Sequence, residues 1–274
     1  MSSIYHYCDL NAFLNIINNK KIWLSSASNL NDYNEISYFR DIFFSELNSA
    51  RTESNSHVID DFLDVFYNVF PQPYICSFSK KKDLLSQWRA YADDGCGVAI
   101  GFSSDSFGFL EEAPFLGMCE MHSTGISDVI YDGVDNIIEF IKERINLIIS
   151  SLHLNEERYF LYNNIANEIR RRCIFTKNKF FEEEEEVRIV HLPFVTGNEK
   201  GEFRYVHSLS PVKQRVSGNR ITSYFEYDFS KKQNIITEVV VGPKCDITKY
   251  ELELLLATNN YLNIPLFKSG ASYR

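Results

Sequence analysis

The spacing of apolar and polar positions predicts most of the elements. Ile4–Tyr7 reads as a short strand, and Asp9 then stands as a helix cap ahead of Leu10, Phe13, Leu14 and Ile17, an i, i+3, i+4, i+7 stripe. A second strand, Ile22–Ser25, leads into the polar loop from Ser26 to Asp32. Helical patterns follow at about 33–48 and 57–69, stopped by Pro71 and Pro73. Next come a strand at Tyr74–Phe78 and a helix capped by Asp83, with Leu84, Leu85, Trp88 and Tyr91 on one side. The turn Asp93-Asp94-Gly95-Cys96-Gly97 feeds a strand at Val98–Phe102.

Residues 134–152 carry a long isoleucine stripe that includes Ile137, Ile141, Ile145 and Ile148. A partner helix follows an Asn155 cap, with Tyr159, Tyr162, Ala166, Ile169 and Cys173 in line, so the two form a helical hairpin. The last third is strand-rich: Val187–His191, Glu202–Val206, Ile221–Tyr227 and Thr237–Val241. A helix capped by Asp246 and a strand at Leu266–Lys268 complete it. Strands at both ends with helices between them predict an α+β fold with one mixed, mostly antiparallel sheet built from both chain ends. Residues 1–274 are expected to form a single domain with a helical insertion at about 130–175.

Composition narrows the function. With 45% apolar and 24% charged residues, the chain can bury an ordinary globular core and is not disordered. No apolar run is long enough to span a bilayer and no signal peptide is evident, so a soluble, cytoplasmic protein with no membrane partner is expected. Six scattered cysteines, without CxxC or zinc spacing, are expected to be reduced thiols, with no metal. The net charge of −9 is uneven: residues 1–137 carry 8 Lys/Arg against 19 Asp/Glu (−11), and residues 138–274 carry 20 against 18 (+2). The acidic front half excludes a duplex-coating face, whereas a local anion site in the back half stays open.

Walker, GxGxxG, GxSxG and HExxH motifs are absent. Gly95-Cys96-Gly97 lies between a helix and a strand, the wrong order for a dinucleotide fingerprint, and reads as a plain turn. The most unusual feature is Glu184-Glu185-Glu186-Val187-Arg188. On a strand, Glu184, Glu186 and Arg188 would share one face, where two carboxylates can divide acid and base roles while the arginine orients one or binds an anion. The plainer account is a solvated, charged strand start. His6 could likewise be a hydrogen-bonded core histidine, and Trp88 and Tyr91 core aromatics. Arg170-Arg171-Arg172 with Lys177 and Lys179 reads as the basic end of a helix rather than a nucleic-acid contact.

Several of these blocks together resemble a bacterial family known only as domain of unknown function 2971. They are Tyr5-His6-Tyr7, Leu24-Ser25, Asn31-Asp32 with Glu35, Cys76-Ser77-Phe78-Ser79, and Leu85 with Trp88-x-x-Tyr91-Ala92. Gly97–Phe102, Phe181-x-x-Glu184-x-Glu186-x-Arg188 and Ile236-x-Glu238-Val239-x-x-Gly242 complete the set. Two departures are Cys8, where Thr or Ser is usual, and Tyr33, where Pro is frequent. The front end is also similar to ADP-ribosyltransferases, including DNA-modifying toxins of the Dar type.

That similarity implies an ADP-ribosyltransferase-like fold, with NAD as substrate. It gives His6 the ribose-holding role, Glu186 or Glu184 the catalytic role, and Trp88 or Tyr91 the nicotinamide contact. Tyr7, Ser25, Asn31, Ser77 and Arg188 join Trp88 and Tyr91 as substrate-binding candidates. A carboxylate would oppose the positive charge that builds on the ribose as the nicotinamide bond breaks. Pyrophosphate would need Arg188 or the basic residues of Lys213–Arg220.

Two expectations follow. One is an NAD-consuming transferase or NAD glycohydrolase with a protein or nucleic-acid acceptor, suited to a toxin or a phage-defence effector. The other is a non-catalytic module on the same fold that binds a nucleotide or a protein. Convergence of His6 and Glu186 on one cleft separates them.

Overall fold

The computed structural model describes residues 3–29, 33–68, 72–109, 114, 120–151, 154, 157–197, 203–206 and 208–271. The chain opens with β1 (Ser3–Cys8), α1 (Leu10–Asn19), β2 (Lys21–Ser26), α2 (Tyr33–Ala50), α3 (Ser56–Asn68) and β3 (Tyr74–Ser79). It continues through α4 (Leu85–Tyr91), β4 (Val98–Ser103), α5 (Glu120–Ser123), β5 (Thr124–Asp128), β6 (Ile130–Asp132), α6 (Val134–Ser150) and α7 (Glu157–Phe175). Then follow β7 (Thr176–Asn178), β8 (Glu186–His191), β9 (Phe194–Gly197), β10 (Phe203–Val206), β11 (Lys213–Ser217) and β12 (Arg220–Asp228). β13 (Ile236–Val241), α8 (Lys249–Thr258) and β14 (Leu266–Lys268) complete it.

The described strands include a ten-stranded sheet, ordered β11-β12-β2-β3-β1-β4-β13-β14, with β8 joined to β3 and β5 joined to β8. Both chain ends contribute, and only the β13–β14 pair is parallel within it. β3 is the hub. One of its edges pairs with β8 from Tyr74↔His191 to Ser79↔Glu186. Its other edge meets β2 at Tyr74 and Ile75 and β1 at Ser79, so β1 and β2 diverge between those points.

Strand alternation sorts the side chains into two faces. The core face carries Ile4, Cys8, Leu24, Cys76, Phe78, Ile100, Phe102, Val187, Ile189 and Phe225, and is covered by Phe13, Ile16 and Ile17 of α1 and Leu252 and Leu256 of α8. Asp9 caps α1 as expected, its carboxylate accepting the Ala12 amide at 2.7 Å. Two other caps lie elsewhere. Leu84, not Asp83, precedes α4 without a side-chain cap, because the Asp83 carboxylate accepts instead from Trp88 Nε1, Ser269 Oγ and the Gly270 amide. At α8 the cap is Thr248, whose hydroxyl accepts the Glu251 amide, and not Asp246.

The isoleucine stripe of α6 is buried as its spacing predicts. It packs with Tyr162, Ala166, Ile169 and Cys173 of α7 and with Phe39, Phe43, Val58, Phe62 and Phe66 of α2 and α3, forming a second core. The helical layer is therefore larger than residues 130–175, since α2 and α3 belong to it. Each fully buried aliphatic or aromatic side chain there contributes about 1.5–3 kcal/mol. The five described strands that the spacing did not suggest are β5, β6, β7, β9 and β11.

Arg170 is not a solvated helix end: its guanidinium donates to the Val65 and Phe66 carbonyls at 3.0 and 2.7 Å, terminating α3, and Arg172 pairs with Asp132. The Asp93–Gly97 turn is structural. Its amides at Gly95, Cys96 and Gly97 donate to Ala92 and Asp93, while the Gly95 and Gly97 carbonyls accept from Lys244 and Gly242. A Cβ on Gly97 would lie 2.1 Å from the Cys8 carbonyl oxygen, so only glycine fits. The predicted Asn155 cap, the Asn31-Asp32 loop end and Cys119 lie outside the described residues. The other five cysteines are free thiols. Among the described residues no helix is long and apolar enough to cross a membrane.

Candidate binding face

Opposite the core face, the central strands carry Tyr5, Tyr7, Ser25, Ser77, Ser79, Glu186 and Arg188. One row runs straight across five strands: Glu186 opposite Ser79, Ser79 opposite Tyr5, Tyr5 opposite Gly101, and Gly101 opposite Glu238. His6 therefore points the other way. Its ring lies 5.5 Å from that of Phe78, and its Nδ1 is 3.9 Å from Cys76 Sγ, both on the core face. Nδ1 also meets the Ser77 carbonyl at 3.0 Å, in the gap where β1 and β2 diverge. Burial lowers the His6 pKa and keeps the ring neutral, with the bond to Ser77 opposing only in part. The expected convergence of His6 and Glu186 is thus overturned by register and alternation.

Glu186 is engaged by its neighbours. Arg188, two residues along the same strand face, donates Nε to Oε1 at 2.7 Å and Nη2 to Oε2 at 3.0 Å. Lys177 Nζ lies 3.5 Å from Glu186 Oε2 and 2.7 Å from Glu184 Oε2. The side chains of Lys177, Arg188, Glu186 and Glu184 are 1%, 4%, 8% and 12% exposed, and two cations balance two carboxylates. Burial pushes the Glu186 pKa up, but Arg188, Lys177 and the Ser77 hydroxyl outweigh it and hold the carboxyl below its ordinary range. Glu186 is therefore ionised at neutral pH and lacks the raised pKa of a general acid.

Glu184 reaches this cluster by a route the spacing did not predict. It ends a 3₁₀ turn, Lys179–Glu184, and Glu185 in a left-handed conformation (φ 40°) separates it from β8. Lys177 gathers the two carboxylates, rather than a shared strand face. Lys177 itself is a buried ion-pair partner and not part of a basic helix end.

Tyr7 and Trp88 are supports. The Tyr7 hydroxyl donates to the Lys81 carbonyl at 2.7 Å and accepts the Leu84 amide at 3.1 Å, and burial raises its pKa. Trp88 is fully buried, edge-on to Tyr7 at 4.7 Å, with Nε1 donating to Asp83. Tyr91 is exposed at the end of α4, and Asn31 lies outside the described residues.

What the face does bring together is Ser25 and a group that no sequence motif marks. Trp23 lies two residues before Ser25 on the same face, 37% exposed, its ring 4.6 Å from Tyr224 at 33°. Arg215 crosses from β11 to place its guanidinium 5.5 Å from the Trp23 ring centroid and to donate to Ser25 Oγ at 3.2 Å. The available signal was an outward tryptophan between inward Ile22 and Leu24. Ser77 is exposed although it lies mid-sheet, because the divergence of β1 and β2 leaves its neighbourhood open. Among the described residues no three His, Cys, Asp or Glu side chains cluster as metal ligands would.

A family model described as protein of unknown function (DUF2971) matches residues 87–189, from α4 into β8, and supports the family resemblance over that stretch. No curated protein matches the chain, and no solved structure does. The family description carries no activity.

Proposed function

We propose that this chain is a non-catalytic nucleotide-binding module, which keeps an ADP-ribosyltransferase-like scaffold without the NAD-cleaving chemistry. The observation that carries the reading is the separation of His6 from Glu186 by the thickness of the sheet, with Glu186 buried and neutralised by Arg188 and Lys177. A carboxylate that stabilises a ribose cation must face the sugar that the histidine holds. Here the histidine faces Phe78, and the carboxylate already opposes two cations. Incubation of the purified chain with NAD tests this directly. Binding without nicotinamide release is the expected result. Nicotinamide release that is lost in a folded Glu186→Gln variant overturns it and restores the enzyme reading.

A further inference from the structure

On the outer half of the same face, Arg215 reaches over β12 to Ser25 on β2. It starts opposite Thr222, since Arg215 pairs with Thr222 and Ser25 with Tyr224. Thr222 is 2% exposed, and its hydroxyl has no hydrogen-bond partner among the described residues. A buried hydroxyl without a partner has lost its water without compensation, which destabilises the fold. The three strands thus hold an uncompensated donor, a second hydroxyl on Ser25, a guanidinium and a half-open indole, all on one face. Lys21 and Lys213 flank them but are paired with Glu226. Arg215 and the exposed Arg220 at the start of β12 add positive charge to a chain whose net charge is −9.

We infer that Trp23, Ser25, Arg215 and Thr222 form the binding site for a nucleoside phosphate. This rests on the nucleotide-binding reading and names its place. The base stacks on the exposed part of Trp23, which Tyr224 backs, as aromatic platforms hold bases in general. A phosphate takes Arg215 as its partner through charge-assisted bonds stronger than the single bond to Ser25. As the guanidinium turns to the phosphate, the Ser25 and Thr222 hydroxyls become free to donate to it. The site thereby satisfies the hydroxyl that has no partner among the described residues.

Titration calorimetry on the full chain, with ADP and separately with inorganic pyrophosphate, tests the assignment. ADP is expected to bind more tightly than pyrophosphate, and Trp23→Ala to remove that difference. Arg215→Ala and Thr222→Val are each expected to weaken ADP binding about tenfold or more. Thr222→Val should melt at or above the wild-type temperature, because it removes the unpaired hydroxyl while keeping the side chain's shape. A merely structural Thr222 would not separate affinity from stability in that way. Undiminished ADP binding in both variants overturns this site and leaves the nucleotide-binding reading standing. Absence of ADP binding to the wild-type chain overturns both.

Discussion

Arg188 grips Glu186 through two parallel hydrogen bonds, 2.7 and 3.0 Å long, between residues two apart on one strand. The Arg188 Nη1 continues to the Ile174 carbonyl at 2.6 Å, so this pair ties the end of α7 to the sheet. Removing one partner of a buried pair leaves the other charge uncompensated, at a cost of about 3–5 kcal/mol. Glu186→Gln, Arg188→Met and Lys177→Met should therefore each lower Tm by several degrees. The double variant Glu186→Leu/Arg188→Met should recover much of the loss, since apolar replacement of both partners is often neutral or better. Thermal melts of the four proteins decide it. Wild-type stability in Glu186→Gln would mean that the pair is solvated and energetically idle.

Stability should fall with acid in two stages. His191 is fully buried, and burial lowers its pKa to about 4. Its Nδ1 lies 2.8 Å from Thr124 Oγ1 and 3.2 Å from the Ser123 carbonyl, while Nε2 accepts the Leu209 amide at 3.4 Å. The unfolded chain takes up a proton near pH 6.5 and the folded chain only near 4. Between those values the unfolded state binds more protons, so stability drops as pH falls, by up to about 3 kcal/mol. Glu186 acts lower down: its contribution is complete above the ordinary carboxylate pKa of about 4.3 and is lost as pH falls through its depressed value. Urea midpoints from pH 7 to 3 should show both stages, with the first reduced in a folded His191→Gln variant and its remainder due to His6, whose pKa burial also lowers.

Arg170 and Arg171 should behave as opposites despite being neighbours. Arg170→Ala removes bonds from a charged donor to two α3 carbonyls, and losing hydrogen bonds to charged groups costs about 1.5–3 kcal/mol each. Arg171→Ala should change stability by no more than about 0.5 kcal/mol. Chemical denaturation separates them, and equal effects would remove the α3-terminating role.

Trp88→Phe should destabilise the chain by about 1–2 kcal/mol, through the lost Nε1 bond to Asp83 and the smaller ring. It should leave nucleotide affinity unchanged, because Trp88 packs with Tyr7, Ala99 and Val240, away from the Trp23 site. A loss of affinity at unchanged Tm would return Trp88 to the binding residues.

Local signals were legible where one residue's surroundings are set by near neighbours in sequence. The α1 stripe behind Asp9, the isoleucine face of α6 and the strand at Leu266–Lys268 all follow from period and capping. The Asp83 cap failed because a short polar side chain caps only if nothing else competes for it. Trp88 competes for Asp83 from within α4, and Ser269 and Gly270 compete from distances in sequence that no window covers. The β11–β12 hairpin had its turn signal in Ser217-Gly218-Asn219, but β11 has all five residues exposed and no apolar alternation to mark it.

The sequence by itself determined the alternation on each strand: His6 opposes its tyrosine neighbours, and Glu186 shares a face with Arg188. It could not determine how the strands join. Whether His6 and Glu186 meet depends on a relay through Ser79, with Tyr5 opposite it on one side and Glu186 on the other. A one-residue slip in either pairing would have put both side chains on one face. That register is set by the packing of Phe78, Val187, Ile100 and Phe102 into a shared core, a long-range property of the folded chain. The charge cluster has the same origin. Lys177 and the carboxylates are close in sequence, but only the left-handed turn at Glu185 and the packing of α7 against the sheet bring them within bonding distance and exclude the water that would otherwise solvate each charge.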